Sequence, residues 1–123
     1  MSNNQEKVKR VSNITVRVGL DEQNVPVYMD WQSEDSPDTP QPEEAKAFLL
    51  SIFDKEHKDT FKIDLWTEEM QVVEMDRFMF QTLKSLADTY YKATKNEKLA
   101  NQMQGFAQFF GQETGFVPKN EDK

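Results

Sequence analysis

Cysteine is absent from the 123 residues. That removes thiol nucleophiles, thiolate zinc sites, disulfides and a lipoprotein anchor. Histidine is nearly absent. The one imidazole, His57, sits in DKEHKD between Glu56 and Lys58, the setting of an exposed loop side chain rather than of a tuned base. Four glycines, Gly19, Gly105, Gly111 and Gly115, are too few and too scattered to cradle a phosphate. No apolar run approaches the roughly 20 residues a spanning helix needs, and MSNNQEKVKR has no apolar leader core. The chain therefore reads as soluble and cytoplasmic, with no membrane insertion, no metal site and no cofactor.

What is present in excess is acid. Twenty-two Asp and Glu against 15 Lys and Arg give a formal charge of −7, which opposes binding to phosphate backbones, so nucleic acid is not an expected partner. The length suits one domain that hides roughly two-thirds of its unfolded surface. We read residues 1–10 as a loose polar arm, 11–117 as a single domain and 118–123 as a tail.

Ile14, Val16, Val18 and Leu20 alternate with polar residues or glycine, the period of a half-buried strand. After the polar turn Asp21–Asn24, the residues Val27, Met29 and Trp31 alternate with Tyr28 and Asp30, completing a hairpin in which Pro26 belongs at the strand start. Residues 34–44, EDSPDTPQPEE, carry three prolines and five carboxylates, too polar to pack and too rich in proline for a central strand. They read as a solvated loop, and they lack the glycine-turned spacing of a calcium site.

AKAFLLSIFD and FKIDLW read as a second hairpin joined by DKEHKD. Its first strand is apolar on both faces, with Phe48, Leu50 and Ile52 on one and Ala47, Leu49 and Phe53 on the other. Helices can cover only one face. The other would expose Leu49 and Phe53 beside Tyr28 and Trp66, amid Arg17, Lys62 and Asp64, and an exposed apolar patch rimmed by charge marks an interface. Tyr28, Leu49, Phe53 and Trp66 are the candidate interaction residues.

From Val72 the period becomes helical: Met75, Phe78, Met79, Thr82, Leu83, Leu86, Ala87 and Tyr90 form one stripe. Thr94 to Glu97 has the spacing of a capping box for a second helix, whose stripe is Leu99, Met103, Phe106 and Phe110, assisted by Ala100 and Ala107, with Gly111 or Gly115 as the stop. These Met and Phe rows read as core. The expected fold is α+β: a four-stranded antiparallel sheet followed by two amphipathic helices packed on one face.

IDLWTEEM, at the junction of the fourth strand and first helix, gathers Asp64, Glu68 and Glu69 around Trp66. On a strand Asp64 shares a face with Lys62 and Trp66 and either faces solvent or pairs across strands with a cation, Thr67 offers a capping hydroxyl, and the glutamates suit the positive end of the following helix. Nothing in the spacing makes two carboxyl groups face each other across a cleft, so no catalytic residue is assigned.

The pieces GLDEQNVP, AKAFLLSIFD, KIDLWTEEM, QTL and ATKNEKL, in this order from about Val16 to Phe110, resemble the gliding-motility protein GldC family of gliding bacteria. Gln71 departs from that pattern, which has proline there. The resemblance implies a small soluble protein without catalytic activity, a non-enzymatic accessory or adaptor of the gliding machinery of Bacteroidetes. Its partners would be other motility or secretion proteins, with a homo-oligomer as a further arrangement. Two rival readings are a holdase chaperone similar to SecB, suggested by acidic charge and ββββαα order, and an enzyme using Asp64 with Glu68 or Glu69.

Overall fold

In a computed structural model, residues 3–38 and 40–119 are described. Residues 1–2 of the expected arm, Thr39 of the acidic loop and 120–123 of the expected tail lie outside them. The chain forms two compact units, Met1–Met70 and Gln71–Lys123, the first built of strands and the second of helices.

In the strand unit, Asn3–Lys7 form a short 3-10 helix, followed by β1 (Ile14–Leu20), β2 (Pro26–Ser33), β3 (Glu43–Glu44), β4 (Ala47–Phe53) and β5 (Thr60–Trp66). β1 and β2 pair antiparallel from Ile14 opposite Ser33 to Gly19 opposite Tyr28, with a register shift at Leu20. Asp21 builds their turn. Its Oδ1 accepts from the N–H groups of Gln23 and Val25, and Asn24 takes the left-handed conformation at φ 64°. Pro26 opens β2, where its missing N–H costs the ladder least.

The second hairpin runs from Ala47 opposite Trp66 to Phe53 opposite Thr60. DKEHKD closes it. Asp54 N–H donates to Asp59 O, and Lys58 adopts φ 60°.

The expected single four-stranded sheet is not what forms: the strands make a three-stranded sheet, β1-β2-β3, and a separate two-stranded one, β4-β5. The acidic loop supplies the difference. Its last two residues, Glu43 and Glu44, pair with Trp31 and Asp30 as β3, because backbone pairing does not require apolar side chains. A bend at Lys46 then separates β3 from β4. Consecutive residues of an extended chain aim their backbone groups to opposite sides, so Ala45 N–H donates to Met29 O while Lys46 O accepts from Thr67 N–H. The chain thus leaves one ladder as it enters the other.

In the helical unit, α1 (Val72–Thr94) and α2 (Glu97–Thr114) form an antiparallel hairpin joined by Lys95 and Asn96 alone. Gln71 precedes α1, and its N–H donates to Glu74 Oε1 at 3.0 Å, half of a capping box. The capping box expected at Thr94 and Glu97 is absent, because Thr94 still belongs to α1 and its hydroxyl donates to Tyr90 O. Asn96 caps α2 instead, accepting from Leu99 N–H. Gly115, not Gly111, is the left-handed stop, at φ 89°.

Gly111 has another role. A Cβ there would lie 2.5 Å from Phe80 Cε1, so Gly111 leaves the space that the Phe80 ring fills. The buried residues of this hairpin are Phe80, Ala87, Ala100, Ala107 and Gly111. Leu86, Leu99 and Phe106 of the expected stripes are exposed instead. Small side chains let the backbones approach, which places Ala and Gly, rather than the larger Leu and Phe, at the contact.

Candidate protein-interaction surface

β4 and β5 arrange their side chains in two ladders, because residues directly opposite share a face. One ladder pairs Phe48 with Leu65, Leu50 with Ile63 and Ile52 with Phe61, apolar throughout. The other pairs Ala47 with Trp66, Leu49 with Asp64, Ser51 with Lys62 and Phe53 with Thr60. This second face holds three of the four expected interaction residues. Phe53 is 67% exposed and Trp66 54%, while Leu49 is half-buried. Lys62 Nζ lies 3.2 Å from Asp64 Oδ1 between them, so the patch is apolar at both ends and charged in the middle.

Tyr28 stands elsewhere. It belongs to β2, and its hydroxyl donates to Asp30 Oδ2 at 2.8 Å. Val25 and Pro26, rather than Tyr28, line a hollow of about 290 Å³ with Asp64, Leu65, Trp66 and Glu68.

The Tyr28 hydroxyl is part of a cluster that alternation alone placed on a solvent face. Asp30 is only 2% exposed. Arg17 lies directly opposite on β1, its Nε donating to Asp30 Oδ1 and its Nη2 to Oδ2, a two-pronged contact that with Tyr28 engages both carboxylate oxygens. The guanidinium, and after it the Tyr28 hydroxyl, holds the Asp30 carboxyl below the usual aspartate range. The same bond to Asp30 pushes Tyr28 above the ordinary phenol value. A regular count outward from Leu20 opposite Pro26 sets Arg17 against Met29; the register shift between Gly19 and Leu20, which no side-chain pattern announces, moves it to Asp30.

The apolar ladder is the other feature that the alternation misplaced. Alternation puts it on the covered face, yet Phe61 is 77% exposed, with Ile52 and Ile63 near half.

The junction carboxylates do not converge. Asp64 pairs with Lys62, and Glu68 and Glu69 are exposed on the turn that Met70 N–H closes onto Thr67 O. Thr67 does not cap: its hydroxyl is buried and without a hydrogen-bond partner. His57 is exposed, with Nδ1 3.0 Å from Asp54 Oδ2. Backbone and ring bonds from His57 lower the Asp54 pKa. Among the described residues no group of His, Asp and Glu could hold a metal ion, and no helix is long and apolar enough to cross a membrane.

The chain's own sequence decides its family. The pattern of the gliding motility-associated protein GldC-like family matches residues 26–115. The chain belongs to that family. The matched span runs from the first residue of β2 to the glycine that ends α2, so it includes the whole two-faced hairpin and both helices. Membership associates the chain with gliding motility, and the family is not one of known enzymes. No curated protein and no solved structure is detectably similar to the chain.

Proposed function

We propose that the protein is a non-enzymatic accessory or adaptor of the bacterial gliding machinery, working in the cytoplasm through contacts with other motility or secretion proteins. Family membership supports the setting. The observation that carries the contact role is the β4-β5 face on which exposed Phe53 and Trp66 flank the Lys62–Asp64 pair. Aromatic anchors beside charges give a partner both buried area and a fixed register. Leu49 completes this face, whereas Tyr28 lies on β2 in the other sheet and is left out of it.

Affinity capture of the tagged full-length chain from a gliding bacterium, compared with Phe53→Ser and Trp66→Ala, tests this reading. Motility or secretion components should co-purify with the native chain and be depleted with the variants. Failure to recover any of them reproducibly, or equal recovery with both variants, would overturn it.

A further inference from the structure

Two backbone bonds fix which way β5 faces. Asp54 N–H donates to Asp59 O and Thr67 N–H to Lys46 O, at the two ends of the hairpin. Bonded pairs alternate along an antiparallel ladder, so Phe61, Ile63 and Leu65 aim their backbone groups at β4. Thr60, Lys62, Asp64 and Trp66 aim theirs outward. β5 is the last strand of its sheet, and all of it except half-buried Leu65 is exposed. A long exposed edge is a template for another strand unless it is blocked.

The sequence of this edge is complementary to its own reverse. Laid antiparallel on a second TFKIDLW with Ile63 at the centre, Lys62 meets Asp64 and Asp64 meets Lys62, while Phe61 meets Leu65 and Ile63 meets Ile63 on the other face. The backbone agrees with the side chains. In this register every outward N–H and C=O of Thr60, Lys62, Asp64 and Trp66 faces a partner, and Ile63 forms the non-bonded pair on the axis. A slip of one residue would set apolar against charged side chains and misalign the bonds.

We propose that β5 is a self-pairing edge through which two copies of the chain join about a two-fold axis at Ile63. Each copy presents the same strand to the other, the requirement of a symmetric dimer. The two hairpins become one continuous sheet, β4-β5-β5-β4. The exposed ladder of Ile52, Phe61 and Ile63 then continues across the axis, and Lys62 and Asp64 exchange their internal pairing for a four-charge array. This inference stands on the strand alone and does not depend on the motility role.

The absence of native cysteine makes a direct test clean. A non-bonded antiparallel pair brings Cα atoms to about 4.5 Å, within disulfide range, so Ile63→Cys should cross-link to a band of twice 14.4 kDa on mild oxidation. Thr60→Cys should not, because its two copies would stand about 20 Å apart. By light scattering the native chain should have twice the 14.4 kDa mass, Lys62→Asp should halve it, and adding Asp64→Lys should restore it. Far-UV circular dichroism of each variant confirms that the fold is kept. A mass of 14.4 kDa at every concentration, which would leave the edge to a strand of a different protein, overturns the proposal. So would equal cross-linking at both positions, or a folded double variant that stays monomeric.

Discussion

Arg17 and Asp30 face each other across β1 and β2, and the guanidinium grips both oxygens of a carboxylate that is almost wholly buried. A buried charge is tolerated only while its partner remains, so removing one member should hurt more than replacing both. Arg17→Met should lower Tm by several degrees, and Arg17→Met with Asp30→Leu should recover part of the loss. Thermal melts of the native, single and double variants check this. A double variant no more stable than Arg17→Met would contradict it.

Acid should weaken the fold through the same contact. The folded pKa of Asp30 lies below its ordinary value of 3.8, so its contribution is fully present above that value and is lost as pH falls through the folded pKa. Asp54 has the same sign, its carboxylate held by His57. Denaturant melts between neutral pH and pH 2 should show stability falling below about pH 4, with a shallower fall in Asp30→Asn.

Alkali acts through Tyr28. Its folded pKa lies above the ordinary 10.0, so its contribution is present below 10.0 and lost as pH rises through the folded value. Tyr28→Phe should flatten the fall in stability above pH 10. An unchanged alkaline limb would mean that the hydroxyl does not hold Asp30.

Thr67 buries a hydroxyl without a partner. Thr67→Val keeps the shape and removes the unsatisfied group, and should raise stability by about 1 kcal/mol. Urea melts read this directly. Lower stability in the variant would show that the hydroxyl is satisfied after all.

The two interior glycines of α2 should respond with opposite signs. At Gly111 a methyl would press on Phe80 and Val117, and Gly111→Ala should cost about 1–3 kcal/mol. A Cβ at Gly105 would meet no side chain within 4 Å, and Gly105→Ala should gain about 0.5–1 kcal/mol from lower backbone entropy and better helix propensity.

Both hairpins and both helices were legible in the sequence because each depends on local periodicity and turn chemistry. Asp21 and Asn24 turn the first hairpin and DKEHKD the second. The splitting of the sheet was not legible, since the Lys46 bend and the pairing of Glu43–Glu44 are backbone events that leave no side-chain pattern. Phe80 escaped the helical stripe because its partners, Gly111 and the Phe116 ring stacked on it, lie near and beyond the end of α2, where spacing within α1 gives no sign of them. Of the four candidate interaction residues, β4-β5 alternation places Leu49, Phe53 and Trp66 on one face, whereas Tyr28 is tied to Asp30 in the other sheet.

The proposed contact of the face around Trp66 with another motility or secretion protein is open to in-cell photocrosslinking from a benzoylphenylalanine placed at position 66 of the full chain, read by mass spectrometry. One reproducible adduct with a motility or secretion component is expected, absent when the probe replaces exposed Lys98 on α2. Adducts with no such component, or the same adducts from both positions, would refute the contact.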